Sequence, residues 1–258
     1  MSNEFRIVIP ARYDSSRLQG KVLMTIAGQP MLQHVWERAG ESGAAEIVIA
    51  TDSTQVADVA GAFGADVCIT SADCRSGTDR VAEVCAQRSW DDEHPVVNVQ
   101  GDAPLMPPSS IARVAQLLNR HASASIATLC TPLKSADEYT DPNVVKVVFD
   151  SAGRALYFSR SPIPAAGHGS SLTDAAAQGY RHLGLYAYRP HALQRLSAAP
   201  PCELEQLERL EQLRALWMGM EIRIEVDAES HGPDVDTRAD LERVDTLFSQ
   251  QGVRGAAQ

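Results

Sequence analysis

Lysine is almost missing from this 258-residue chain. Only Lys21, Lys134 and Lys146 occur, so nearly all of its positive charge is arginine. Acid outnumbers base, with a formal net charge of −10. That balance excludes nucleic-acid binding by overall electrostatics, and a site for a polyanion must gather its cations locally. Cysteine is sparse: Cys68, Cys74, Cys85, Cys130 and Cys202 are odd in number and scattered. None forms a C-x-x-C pair and no Cys/His group has zinc spacing, so reduced thiols are expected. No apolar run approaches the roughly 20 residues that span a bilayer, which speaks against a membrane partner. No long apolar segment precedes the strand at Ile7, so no signal peptide is expected and the expected location is cytoplasmic. The standard nucleotide motifs are missing too. A Walker A loop ending at Gly20-Lys21 needs glycine at position 15 and Ser or Thr at 22, where Ser15 and Val22 stand. No G-x-G-x-x-G follows the first strand, and there is no G-x-S-x-G elbow.

What is present is an ordinary globular composition, 44% hydrophobic and 22% charged. The length suits one large α/β domain, or a core with an insertion, better than two independent domains. Short apolar runs at Ile7–Ile9, Glu46–Ala50, Val67–Ile69 and Val96–Val99 alternate with helical patterns starting near Met31, Ser53 and Thr78. Such alternation predicts right-handed crossovers and a mostly parallel sheet flanked by helices. Further on, Pro107-Pro108 opens a helix to Asn119, and Ile126–Leu129 reads as a strand. A hairpin turns at Asp150–Gly153, 161–180 reads as loop, and Leu183–Tyr188 reads as a strand. Glu203–Trp217 reads as one strong helix with a broad leucine face. Ile222–Val226 is strand-like, and a last helix runs to about Phe248. Residues 1–250 are taken as one domain with a smaller α+β lobe inserted at about 130–220, and 251–258 as a flexible tail.

The stretch around which the rest is arranged is Arg6–Lys21. A buried strand breaks at Pro10 and empties into a loop carrying Arg12, Arg17 and Lys21 among Ser15, Ser16 and Gly20. Backbone N–H groups and fixed cations at such a turn can hold a triphosphate, although a solvated basic loop would look the same. In a parallel sheet, ligands sit beyond the carboxyl ends of the strands. The polar turns after strands one, three and four therefore face a common crevice.

Two acids stand out. Asp102, between Gly101 and Ala103, is placed to hold a divalent cation against phosphates, or to accept in a local turn. Asp236 precedes the last helix, where it or Thr237 is a natural N-cap. If both face one crevice, they can share Mg²⁺. His182 and Arg160 flank strands and each could be a local structural partner. Glu211 and Gln212 lie off the leucine stripe of their helix, as a solvated face would.

Eight stretches in order carry a resemblance. They are Ile9–Lys21 (IPARYDSSRLQGK), Ser76–Arg80 (SGTDR), Asn98–Asp102 (NVQGD) and Pro142–Lys146 (PNVVK), then Ala155–Arg160 (ALYFSR), Arg181–Tyr188 (RHLGLYAY), Leu210–Arg214 (LEQLR) and Val235–Thr237 (VDT). Together they make the chain resemble, over nearly its whole length, the 3-deoxy-manno-octulosonate (Kdo) cytidylyltransferase family. The resemblance implies a nucleotide-diphospho-sugar transferase-like α/β fold, a homodimer, and a Mg²⁺-dependent reaction of CTP with Kdo that gives CMP-Kdo and pyrophosphate. It also implies a place in lipopolysaccharide inner-core synthesis. By motif, Ala11, Arg12, Arg17 and Lys21 would hold the nucleotide phosphates. Ser76, Gly77 and Arg80 would lie on the cytidine side, and Asp102 and Asp236 would hold Mg²⁺. Gln100, Arg160, His182, Tyr188, Glu211 and Gln212 would meet the sugar acid. Lys21, Arg17, Asp102 and Asp236 are the catalytic set this implies.

The chain departs from the family pattern in places. Gln19 stands where proline is usual, and Ala103 where a glutamate usually follows the metal aspartate. Asp234 and Arg238-Ala239 replace a Gly and a Pro-Glu pair. A cytidylyltransferase for amino-Kdo or sialic acid, another nucleotide-sugar pyrophosphorylase, and a non-catalytic nucleotide-binding subunit remain alternatives. Arg12-Tyr13 argues against the sialic acid branch.

Overall fold

The structure is a computed structural model that describes residues 4–14, 18–92, 94–229 and 231–255, the last five by their backbone alone. The first strand, β1 (Arg6–Pro10), leads through a 3-10 turn at Lys21–Leu23 into a small hairpin, β2 (Thr25–Ile26) and β3 (Gln29–Pro30). Then come α1 (Met31–Gly40), β4 (Glu46–Thr51), α2 (Thr54–Ala62), β5 (Asp66–Ile69), α3 (Gly77–Gln87), β6 (Val96–Asn98) and α4 (Pro108–Arg120). The second half runs β7 (Ile126–Pro132), α5 (Ala136–Thr140), β8 (Lys146–Phe149), β9 (Ala155–Ser159), α6 (Leu172–Ala177), β10 (Tyr180–Tyr188) and α7 (Pro190–Ala198). It ends with α8 (Glu203–Glu208), α9 (Gln212–Trp217), β11 (Ile222–Val226) and α10 (Arg238–Gly255). No helix of the described residues is long and apolar enough to cross a membrane.

The main sheet has the order β11-β7-β10-β6-β1-β4-β5, with β8 and β9 added beside β10. All neighbours along it are parallel except β10, which runs against both β6 and β7. The expectation of a mostly parallel sheet flanked by helices therefore holds. Side-chain alternation explains the layers. Ile7 and Ile9 point to one face, where they pack with Leu32, Val35, Ile111 and Leu118 of α1 and α4. Val8 points to the other, against Val81, Val84, Leu193 and Leu213 of α3, α7 and α9. A sheet covered on both sides needs apolar strands throughout, which is why the early strands read as continuous apolar runs. A third, smaller cluster of Ile26, Met31, Val235, Leu241 and Val244 seats α10 against the β2–β3 hairpin.

Helix starts follow local chemistry. Ser53 Oγ accepts from the Val56 N–H, and Ser76 Oγ from the Asp79 N–H. α4 opens with proline at its first position, as Pro107-Pro108 suggested.

One element differs from expectation. The single helix expected over Glu203–Trp217 is two helices, because Arg209 adopts a left-handed conformation (φ 53°, ψ 47°) between α8 and α9. The leucine face is correspondingly not a buried stripe: Leu207 is 81% exposed and Trp217 62% exposed, whereas Leu210 and Leu213 are buried. The break has a long-range cause, since the Glu208 carbonyl accepts from Arg160 Nε at 2.7 Å. Three short helices, α5, α6 and α7, also went unforeseen. α6 lies in the stretch read as loop and carries its own capping box, Ser171 with Asp174.

Candidate active site

β1, β4, β5 and β6 run in one direction, so their carboxyl ends deliver the turns at Ala11, Asp52, Thr70 and Gln100 to one edge of the sheet. The loop after β1 closes on itself. Gly20 takes φ 66°, its N–H donates to the Tyr13 carbonyl at 2.8 Å, and the next residue, Lys21, opens the 3-10 turn. The β6 turn lies directly against it. A Cβ on Gly101 would come within 2.9 Å of the Pro10 carbonyl oxygen, so only glycine lets the two turns touch. Ala103, just after it, is buried.

This contact brings the chosen acids together. Lys21 Nζ donates to Asp102 Oδ2 at 2.5 Å, to Asp236 Oδ1 at 3.2 Å and to the Val235 carbonyl at 3.1 Å. Asp236 reaches the site because it is not the helix cap. Thr237 and Asp240 form that cap between themselves, with Thr237 Oγ1 accepting from the Asp240 N–H and Asp240 Oδ2 accepting from the Thr237 N–H. The Val235 N–H donates to the Asp102 carbonyl at 2.9 Å, which fastens the two chain segments side by side. Burial lowers the pKa of the Lys21 ammonium, but the Asp102 and Asp236 carboxylates outweigh it and the net direction is up, so the lysine stays charged.

Lys21 and Asp102 line a cavity of about 340 Å³ together with Pro10, Arg12, Gly77 and Gln100. Arg12 also lines a second cavity, of about 420 Å³, with Tyr13, Asp52, Ser53 and Arg80. Arg12 makes no hydrogen bond or ion pair with any described residue. Arg17 lies outside the described residues. Ala11 is fully buried and its N–H is committed to the Ala50 carbonyl at 2.9 Å. The Arg80 guanidinium is likewise fully buried, donating to Asp52 Oδ2 at 2.9 Å and to the Thr70 hydroxyl. It thereby pins the ends of β4 and β5 to α3.

On the other side of α3, Glu211 receives Ser76 Oγ at 2.9 Å, Thr78 Oγ1 at 2.7 Å and Arg214 Nη2 at 3.0 Å. Glu211 lies two residues past the break at Arg209, as the N-cap of α9. Arg160 is also held in place. Its Nε donates to the Glu208 carbonyl at 2.7 Å, its Nη1 to the Pro142 carbonyl at 2.9 Å, and its backbone N–H to Glu208 Oε2 at 2.9 Å. Beneath it, the fully buried Lys146 donates to the carbonyls of Asp141, Val144 and Arg160.

His182 Nε2 lies 3.0 Å from Thr128 Oγ1, with Phe158 and Tyr186 rings against it at 5.0 and 5.2 Å between centroids. The Thr128 hydroxyl proton serves backbone carbonyls of β10, so Nε2 carries the hydrogen and Nδ1 is left as an acceptor. Burial, with Arg181 adding to it, pushes the His182 pKa down to about 3, so the ring is neutral. Tyr188 is buried and stacks on Tyr186 at 5.6 Å. Gln212 begins α9, half-buried, with no side-chain hydrogen bond to a described residue. Sequence reasoning missed Thr78, Tyr186, Glu208 and Arg214. The one legible signal was alternation along β10, which puts Tyr186 on the face of His182 and Tyr188.

The oxygen donors at the Asp102–Asp236 point fit a hard cation such as Mg²⁺, which binds one or two carboxylates and completes its shell with water and phosphate. Among the described residues no group of three or more His, Cys, Asp or Glu converges as a metal site. A cation held here therefore takes the rest of its shell from its ligand. All five cysteines are free.

Comparison with known proteins places this geometry in context. The profile of the cytidylyltransferase family matches residues 6–222. A 3-deoxy-manno-octulosonate cytidylyltransferase of Thioalkalivibrio sulfidiphilus is 51% identical over 246 residues, covering 95% of this chain and 98% of its own length. One of Actinobacillus pleuropneumoniae is 50% identical over 249 residues, covering 95% and 99%. Among solved structures, CMP:2-keto-3-deoxy-manno-octonic acid synthetase complexed with CTP superposes with a TM-score of 0.88 at 42% identity, covering 96% of this chain and 99% of that one. A cytidylyltransferase of Leptospira borgpetersenii shares the fold at a TM-score of 0.64 and 15% identity, covering 96% of this chain and 87% of its own.

Proposed function

The chain belongs to the cytidylyltransferase family, and from that premise we propose that it transfers CMP from CTP to the anomeric hydroxyl of Kdo, releasing pyrophosphate. One observation carries the reading. Acids 134 positions apart, Asp102 and Asp236, meet on one lysine at the lip of a cavity that Arg12 and Gln100 also line.

The hydroxyl attacks the α-phosphorus in line, and negative charge spreads over the phosphoryl oxygens and the leaving pyrophosphate. Arg12, Arg17 and Lys21 neutralise that charge, which is positioning and electrostatics without a covalent intermediate. Asp102 and Asp236 would hold Mg²⁺, which when bound would supply further charge neutralisation and lower the pKa of the attacking hydroxyl. Ser76 and Gly77 define the cytidine side, and Gln100, which lines the same cavity as Lys21 and Asp102, meets the sugar acid.

On the sugar side, the Arg160 fork already spends Nε and Nη1 on carbonyls, so Nη2 is the donor turned to the substrate carboxylate. Neutral His182 offers Nδ1 to a sugar hydroxyl, and Tyr188, Glu211 and Gln212 complete the polar wall.

The product is placed in lipopolysaccharide inner-core synthesis and the enzyme in the cytoplasm. Residues 1–250 act as one nucleotidyltransferase domain, with 130–220 supplying the sugar-acid side. The exposed apolar side chains Leu156, Leu207 and Trp217 of that stretch support a homodimer. The test is pyrophosphate release across the four NTPs and a panel of Kdo, amino-Kdo and sialic acid, with and without Mg²⁺. Release confined to CTP with Kdo is expected. Preference for another sugar acid, or no release with any pair, overturns the reading.

A further inference from the structure

Thr78 sits where the two halves of the proposed site meet. It lies in the first turn of α3, directly after Ser76 and Gly77, and is 5% exposed. Gly77 lines the cavity that holds Lys21 and Asp102. The Thr78 side chain points the other way. Its Oγ1 donates to Glu211 Oε2 at 2.7 Å.

The proton count sets the direction of this bond. A threonine hydroxyl has one proton and two lone pairs. The proton is committed to Glu211, so Thr78 is the donor and the Glu211 carboxylate the acceptor. A carboxylate offers about four acceptor directions. Ser76 and Arg214 occupy Oε1 and Thr78 occupies one side of Oε2, which leaves the other side of Oε2 for a substrate hydroxyl. Without the Thr78 hydroxyl, Glu211 keeps its Oε1 partners but is free to swing at Oε2. Three donors on one carboxylate, from Ser76, Thr78 and Arg214, fix its orientation more firmly than a single pair.

We propose that Thr78 is a positioning residue that ties the nucleotide end of α3 to the sugar-acid residue Glu211. The inference rests on the functional reading above. Its consequence is directional: removing the hydroxyl weakens use of the sugar acid while nucleotide use is spared, because the atoms of Ser76 and Gly77 are unchanged.

Steady-state kinetics of the full-length enzyme test this with T78V, near-isosteric but lacking the hydroxyl, and T78S, which keeps it. T78V is expected to raise KM for Kdo on the order of tenfold or more, as for one lost hydrogen bond to a charged group. KM for CTP should stay within about twofold. T78S should restore Kdo use to within about threefold of wild type. T78A removes the hydroxyl without setting a methyl against the carboxylate, and gives the same split if T78V does not fold. Parallel shifts of both constants, an unchanged KM for Kdo, or failure of T78S to rescue overturns the proposal. Wild-type enzyme that makes no pyrophosphate from CTP and Kdo overturns the functional reading and this inference with it. An active wild type with an unselective T78V overturns this inference alone.

Discussion

Replacing Lys21 with methionine separates charge from shape at the centre of the site. Methionine keeps most of the apolar stem and removes the ammonium that lies 2.5 Å from Asp102 Oδ2 and 3.2 Å from Asp236 Oδ1. The Lys21 and Asp102 side chains are 13% and 24% exposed, so their hydrogen bond is worth about 1.5–3 kcal/mol, as expected for charged partners shielded from water. Asp236 is 41% exposed, which discounts its share to the ~0–1 kcal/mol of surface pairs. A divalent cation that uses both acids must compete with roughly 2 kcal/mol of lysine binding in the wild type and with none in the variant. At about 1.4 kcal/mol per decade this is about thirtyfold in affinity. Mg²⁺ titration followed by thermal denaturation, without nucleotide, measures it. K21M is expected to be stabilised at about thirtyfold lower Mg²⁺ than wild type, while its pyrophosphate release falls on the order of a hundredfold. Equal or weaker Mg²⁺ stabilisation of K21M refutes the reasoning that the two acids form one cation site with Lys21 seated in it.

Three other outcomes follow from the same geometry. D102N is expected to cut turnover far more than CTP affinity, and near-normal turnover in a pyrophosphate assay removes Asp102 from the metal role. K146M leaves the carbonyls of Asp141, Val144 and Arg160 without their donor and should cost about 2–4 kcal/mol in urea denaturation, with KM for Kdo rising because Arg160 loosens. His182 is neutral when folded, with its pKa pushed down to about 3, whereas an unfolded histidine protonates near 6.5. The unfolded chain therefore gains a proton first as pH falls. The resulting loss of stability is absent above about 6.5, grows by up to ~1.4 kcal/mol per pH unit, and is complete below about 3. H182Q should flatten that acid limb, and an unchanged slope in equilibrium unfolding between pH 6.5 and 4 sinks the assignment.

Much of the first half of the fold was legible because its signals are local. Apolar runs of a few residues, serines ahead of helical periodicity and prolines at helix starts depend only on neighbours within one turn or one pleat. The second half was less so. Glu203–Trp217 has every local mark of one helix, and nothing nearby in sequence reveals that Arg160 takes the Glu208 carbonyl and the chain breaks at Arg209. The short helices α5, α6 and α7 are too brief for periodicity to stand out. At the site, the resemblance puts Arg80 on the cytidine side, and only the structure shows that its guanidinium donates to Asp52 and Thr70. Thr78 passed unnoticed because a small hydroxyl carries no charge and no spacing of its own.

By itself the amino-acid order determined the alternation of strand and helix, the polar turns at strand ends and the eight ordered motifs that mark the family, since each is written in side chains adjacent along the chain. Only the tertiary structure decided which of those side chains meet. Lys21 lies between two acids 81 and 215 positions away, and Glu211 lies against α3 more than 130 positions earlier. Charge and hydrogen-bond energies depend on a few ångströms of separation in space, and that separation is set by how the sheet orders its strands, which no stretch of sequence records.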